Sequence, residues 1–145
     1  DYVRQNSNLY IGDRTAENIK LQIGSALKLS EPLYLKVKGR DSSGFLTTIE
    51  LTSDDIQDAL KEPLKEIATA VRNVLEEMPP DLAGDIVDNG IVLTGGGALI
   101  RELDTYLNDI VKLPVRVAEE PLLAVAYGTA EVLEDEKLLK IISNA

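Results

Sequence analysis

The sequence has no cysteine and no histidine in 145 residues. The first absence excludes a disulfide framework and a thiolate metal site. The second removes the base of a Ser-His-Asp triad, the usual zinc ligand and the common proton shuttle. Positive charge is scarce as well: 15 Lys and Arg stand against 25 Asp and Glu, for a formal net charge of −10. A chain of that sign cannot replace the counterions of a nucleic-acid backbone, so nucleic acid is excluded as the main partner. There is no apolar run of roughly 18 residues to span a membrane and no signal-peptide pattern. No initiator Met precedes Asp1, which reads as a fragment or a processed chain with a cytoplasmic location. Internal repeats and low-complexity tracts are absent too. What remains is ordinary globular composition, with 44% hydrophobic residues, enough for one domain or two small units.

The organising stretch is residues 90–100, Gly-Ile-Val-Leu-Thr-Gly-Gly-Gly-Ala-Leu-Ile. Ile91, Val92 and Leu93 read as a buried strand. Gly95, Gly96 and Gly97 read as a turn. Leu99, Ile100, Leu103, Tyr106, Leu107 and Ile110 carry the period of a helix starting at the turn. Such a strand, turn and helix can receive a phosphorylated ligand, since glycine lets backbone approach closely and a helix N-terminus offers N–H groups. The pattern is not specific. No Lys-Ser/Thr follows as in a P-loop, the spacing is not that of a dinucleotide fold, and a plain tight turn explains the glycines equally well.

Upstream, residues 1–8 look like the end of a helix closed by Gly12, and Thr15 opens a second helix with Ile19, Ile23 and Ala26 on one face. Glu17 and Lys20 share a face of that helix, which by itself means a solvated pair worth about 0.3 kcal/mol. Leu33, Leu35 and Val37 alternate with polar residues, as do Phe45, Thr47, Ile49 and Leu51. A hairpin follows, with a loop of about six residues from Gly39 to Gly44. Thr52 is an N-cap, followed by the first-turn acids Asp54 and Asp55. The long amphipathic helix it starts should be kinked or split at Pro63 and end at Pro79-Pro80. Residues 81–86 read as a helical turn, residues 114–118 as a short strand, and residues 122–133 as a small-residue helix that packs closely on something. The tail is weakly amphipathic through Leu138, Leu139, Ile141 and Ile142. The expected architecture is α/β in two parts: an outer helix-and-hairpin unit over 1–51 and an inner αβαβα unit over 52–145. No nucleophile–base pair is visible, and no catalytic residue is assigned.

Several segments resemble the MreB family of bacterial actins. They are residues 8–20 (Asn-Leu-Tyr-Ile-Gly-Asp-Arg-Thr-Ala-Glu-Asn-Ile-Lys), residues 37–41, Glu62-Pro63, residues 79–83, residues 90–99 and residues 114–122. The resemblance runs to about Leu133. It implies an actin-like (ribonuclease H-like) ATPase fold, with filaments beneath the bacterial inner membrane that organise cell-wall synthesis. It implies ATP or ADP as cofactor, with Glu17, Asn18, Ile19 and Lys20 around the adenosine. Gly95, Gly96, Gly97, Ala98 and Leu99 would back it from the other side. Asn18 stands where the family commonly has Glu, and Gly12-Asp13 where it has Gly-Glu. The family's Asp-Gly-Gly-Thr-type phosphate hairpins, its Mg²⁺-facing residues and its membrane-inserting loop are not in these residues. The expectation is therefore weak nucleotide affinity, no ATP hydrolysis by this chain alone, and membrane contact only through the missing half. A sheet edge and apolar surface left open should favour self-association. Implied partners are further filament subunits, a RodZ-like membrane protein and the wall-synthesis machinery. The alternatives are a non-enzymatic module docking the RodZ-like partner, or an actin of magnetosome or plasmid type.

Overall fold

A computed structural model describes residues 1–143. Two helices open the chain, α1 (Tyr2–Ser7) and α2 (Asp13–Ile23), followed by the hairpin strands β1 (Tyr34–Arg40) and β2 (Leu46–Thr52). Then come α3 (Ser53–Glu76), α4 (Pro80–Asn89), β3 (Ile91–Leu93), a 3-10 turn (Gly96–Leu99), α5 (Leu103–Val111), β4 (Val115–Val117), α6 (Ala124–Glu134) and α7 (Glu136–Ser143). None of these helices is long and apolar enough to cross a membrane. The side chains of Ile141 and Ile142, part of the expected tail face, lie outside the described ones.

The antiparallel hairpin pairs Tyr34 with Thr52 through Arg40 with Leu46. Alternation places Val37 and Leu51 inside, each 3% exposed, against α2 and α3. Gly39 and Arg40, expected in the loop, are the last residues of β1. The reason is Tyr10: its N–H donates to the Arg40 carbonyl at 2.7 Å and its carbonyl accepts from the Arg40 N–H at 3.1 Å, which prolongs the strand. Only glycine fits beneath this bridge. A Cβ on Gly39 would lie 2.6 Å from the Tyr10 carbonyl oxygen and 2.7 Å from Leu9 Cγ. The turn itself is closed by Asp41, whose Oδ1 accepts from the N–H groups of Ser43 and Phe45, both at 2.9 Å.

At the head of α3, Thr52 Oγ1 accepts from the Asp55 N–H at 3.2 Å while Asp55 Oδ2 accepts from the Thr52 N–H at 2.8 Å. This reciprocal pair is a capping box. The helix is not split at Pro63 but runs as one element of 24 residues. Leu60 and Leu64, on either side of the proline, are both held in packed clusters, which offsets the lost backbone donor. The first cluster joins Val3, Leu9, Ile19, Ile23, Val37, Leu51 and Ile56. The second joins Ala26, Leu64, Ala68, Leu103 and Leu107, and Leu60 packs against both.

Three further expectations are corrected. Residues 81–86 are not a single turn but part of the ten-residue α4, with Pro80 at its first position. The helix expected to start on the glycine turn starts at Leu103 instead. Residues 96–99 form a separate 3-10 turn, Ile100 is extended, and Glu102 takes a left-handed conformation (φ 59°). The break falls where the chain turns aside to pair with the residues after α2: the Arg101 carbonyl accepts from the Ala26 N–H at 2.8 Å, and Ser25 and Arg101 form a parallel bridge. Finally, α6 has no buried residue, and Val125, Tyr127 and Leu133 are 74%, 56% and 69% exposed. Its main packing partner is α7.

Candidate functional site

Helix α2 presents the first half of the candidate site. Glu17 and Lys20, one turn apart, form an ion pair at 2.8 Å with side chains 57% and 34% exposed. They line an open cavity of about 450 Å³, together with Tyr2, Asp13, Ile56 and Ala59 among others. The Tyr2 phenol is pushed above its ordinary value near 10, first by burial and then by the carboxylates of Asp58 and Asp55. Asn18 lies on another side of α2 and accepts from Gln22 Nε2 at 3.1 Å. Ile19 is 3% exposed and belongs to the first cluster.

The glycine turn is the second half. Its neighbours fix it from both sides. The N–H of Gly95 donates to the Pro121 carbonyl at 2.6 Å, and the N–H of Ala118 donates to the Leu93 carbonyl at 3.0 Å. Strands β3 and β4 run parallel in register, Ile91 beside Val115. Each glycine has a different reason to be there. Gly95 has φ +79°, ψ 178°, a region essentially reserved for glycine. Gly96 and Gly97 lie outside the left-handed region. A Cβ on Gly97 would meet nothing within 4 Å, and one on Gly96 would meet only Leu122 Cδ2 at 3.6 Å. No backbone hydrogen bond among the described residues engages the N–H of either one. The chain's own atoms therefore do not require glycine at 96 and 97, and both positions offer bare backbone to whatever approaches from outside. Ala98 is buried at 5%, whereas Leu99 is half exposed and lines a small apolar cavity with Leu122 and Leu123.

The two halves line different cavities, and one side chain ties their elements together. Arg101 Nη1 donates to the carbonyls of Leu21 (3.4 Å) and Gly24 (3.3 Å), at the C-terminal end of α2. A cation there caps orphan carbonyls and suits the negative end of the helix dipole. The Ser25 hydroxyl adds a bond to the Leu27 carbonyl at 2.7 Å, and Ser25 and Arg101 form a parallel bridge. Sequence reasoning passed over Arg101, because nothing local marks a residue whose partners lie 77 to 80 positions upstream. Among the described residues there is no cluster of three or more His, Cys, Asp or Glu that could hold a metal ion.

Comparison with known proteins gives this geometry a context. The family model described as "MreB/Mbl protein" matches residues 1–141. The cell shape-determining protein MreB of Escherichia coli (strain K12) is 47% identical over 135 residues, covering 92% of this chain and 39% of the relative. The cell shape-determining protein Mbl of Bacillus subtilis (strain 168) is 40% identical over 142 residues, covering 97% and 43% respectively. The chain thus spans about two-fifths of the length of these curated relatives. Among solved structures, MreB5 of Spiroplasma citri bound to ADP superposes with a TM-score of 0.89 at 39% identity, over 99% of this chain and 44% of that one. The MamK double helical filament matches with a TM-score of 0.76 at 17% identity, a likeness of fold alone. The architecture is part of an actin-like fold.

Proposed function

The chain belongs to the MreB/Mbl protein family, and from that premise we propose that it is the nucleotide-binding half of an actin-like ATPase whose filaments determine bacterial cell shape. The observation that carries this reading is the open side of the glycine turn. Gly96 and Gly97 present unobstructed backbone that the fold itself does not demand, as a flat adenosine ring requires of its support. Glu17 contributes a carboxylate able to accept from ribose hydroxyls, and Lys20 holds it in position through their ion pair. Asn18, Ile19, Ala98 and Leu99 complete the assignment. Ile19 and Ala98 act through the buried packing beneath each half, and Leu99 offers an apolar wall. The glycine turn suits an adenosine better than a triphosphate, since no basic residue occurs between Ile91 and Ile100. The nucleotide's phosphates and Mg²⁺ are assigned to residues outside the 145.

The MreB5 structures of Spiroplasma citri contain ADP or AMPPNP, which supports carrying adenine nucleotide to this chain. Residues 1–51 act as the outer subdomain and residues 52–145 as the inner one. Partners are further copies in a filament, a RodZ-like membrane protein and the wall-synthesis machinery. The location is the cytoplasmic face of the inner membrane, with membrane contact made by the other half. Thermal unfolding with millimolar Mg-ADP tests the core of the reading. ADP raises the melting temperature of the chain, and Lys20→Ala removes most of that shift. The substitution costs the free chain no more than the roughly 0.3–0.5 kcal/mol of an exposed helix pair. Equal shifts in parent and variant refute the assignment.

A further inference from the structure

The two halves of the candidate site are joined by a short relay of hydrogen bonds, and Arg101 is its middle member. On the α2 side, the Lys20 carbonyl accepts from the Gly24 N–H at 2.9 Å, so the last turn of the helix carries Lys20 and Gly24 as one piece. On the other side, the Ile100 N–H donates to the Gly97 carbonyl at 3.1 Å and the Ala98 N–H to the Gly95 carbonyl at 3.2 Å. The glycine turn therefore moves with Ile100 and with the next residue, Arg101. Between these pieces run the Arg101 bonds: Nη1 donates to the carbonyls of Leu21 and Gly24, and the backbone carbonyl accepts from the Ala26 N–H and, at 3.4 Å, from the Ser25 hydroxyl. Ser25 and Ala26 are 1% and 2% exposed, so the receiving end is anchored in the core.

Arg101 is exposed, yet its guanidinium makes no ion pair among the described residues. Those pairs use Lys20, Lys28 and Lys61. Its charge is directed instead at two carbonyls at the negative end of the α2 dipole. Both bonds are long, 3.4 and 3.3 Å, so they bias the position of α2 without locking it. Leu21 follows Lys20 directly, and Arg101 follows Gly97 by four positions. What the side chain holds is therefore the spacing between the Glu17–Lys20 wall and the glycine turn.

We propose that Arg101 is a positioning residue for the nucleoside: it keeps the Lys20 wall of α2 in register with Gly96 and Gly97 for a ligand that touches both, and does not touch the ligand itself. The proposal rests on the nucleotide reading and adds to it a residue outside both binding segments. Without the guanidinium both walls remain, but they are in register for only part of the time, and apparent affinity falls by that fraction. A register kept in about one molecule in ten raises the dissociation constant about tenfold. The test is equilibrium titration of the folded chain with Mg-ADP and, separately, with adenosine, read by ligand-observed NMR for the parent, Arg101→Gln and Arg101→Lys. Urea unfolding of the free chains runs beside it. Arg101→Gln weakens both ligands by the same factor, about tenfold, because the adenosine common to both loses its register. Arg101→Lys recovers part of the loss, since an ammonium keeps a donor and a positive charge at the end of α2 without the planar fork. Should the glutamine variant not fold, the lysine variant decides: a raised dissociation constant for both ligands supports the proposal, and the parent's value overturns it. Unchanged affinity in Arg101→Gln, whatever its urea midpoint, reduces Arg101 to a helix cap and overturns the proposal while the nucleotide reading stands. A loss for Mg-ADP with none for adenosine makes Arg101 a direct phosphate contact and overturns it too. A parent that binds neither ligand overturns both readings.

Discussion

The three consecutive glycines allow a test in which the fold and the ligand give opposite answers at adjacent positions. Gly95 is needed by the backbone. At φ +79°, ψ 178° an alanine is strained even though its Cβ has open space, and Gly95→Ala should cost about 1–3 kcal/mol. Gly96→Ala meets Leu122 only at an ordinary 3.6 Å, and Gly97→Val meets nothing with its Cβ within 4 Å. Both should leave the free chain within about 0.5 kcal/mol, and the alanine can stabilise slightly by restricting the unfolded chain. With Mg-ADP at about a hundred times its dissociation constant, the parent gains roughly 2.7 kcal/mol. For a chain of 145 residues, about 3 °C of melting temperature per kcal/mol makes this a shift of roughly 8 °C. Gly97→Val should lose most of that shift while keeping the parent's stability without ligand. Calorimetric or fluorescence-detected unfolding reads both quantities from one sample set. Two results would refute the reasoning. In one, Gly97→Val destabilises the free chain as much as Gly95→Ala, so that the fold does require that glycine. In the other, the variant retains the full nucleotide shift.

The remaining expectations concern the scaffold and the chemistry. Thr52→Ala breaks the capping box and should lower stability by about 0.5–2 kcal/mol in urea unfolding, with an unchanged midpoint refuting the cap's contribution. Leu107→Ala empties a site 2% exposed in the second cluster and should cost about 2–5 kcal/mol by the same assay. Stability should fall as pH rises above about 10. The raised Tyr2 phenol and the Lys61 ammonium, held up by its bond to Asp58, both keep protons in the folded state that the unfolded state has released. A urea midpoint flat from pH 9 to 11 contradicts this. The 145-residue chain should release no phosphate from ATP above the buffer rate, and a rate sensitive to Lys20→Ala would overturn that expectation.

Much of the architecture was legible because local signals and tertiary packing agree. Thr52 and Asp55 announce the head of α3 in the sequence and form its cap in the structure. The alternation around Val37 and Leu51 gives the hairpin, because both residues face one core. Where the reading failed, a distant contact overrode a local pattern. The periodic run beginning at Leu99 suggests one helix on the glycine turn, yet the Ala26 N–H claims the Arg101 carbonyl and the helix starts two residues later. Gly39 looks like turn chemistry, yet its lack of a Cβ serves the close approach of Tyr10 and Leu9. Pro63 reads as a breaker, but clusters on both sides of it hold the helix together. The candidate residues on α2 and in the glycine turn were visible as types and spacings. What bare spacing could not supply was the joint between them.

That joint bears on how the proposed site would work. Arg101 follows the glycine turn by four positions, and it fastens to α2 through two side-chain bonds and, by its backbone, to Ala26. The end of α2 and the segment leaving the turn are therefore held by the chain itself before any ligand arrives. Gly24 lets α2 close tightly on itself at this end, since a Cβ there would lie 2.3 Å from the Lys20 carbonyl oxygen. A ligand meeting both halves then has little ordering to do at this joint, and more of its contact energy appears as affinity. On the proposed reading the cost of ordering would fall instead on the phosphate side. In that reading, adenosine recognition and phosphate chemistry would be separable along the sequence. The first would rest on a joint made within these 145 residues, so the proposed nucleotide shift should persist in variants that leave the Arg101 and Ala26 bonds intact.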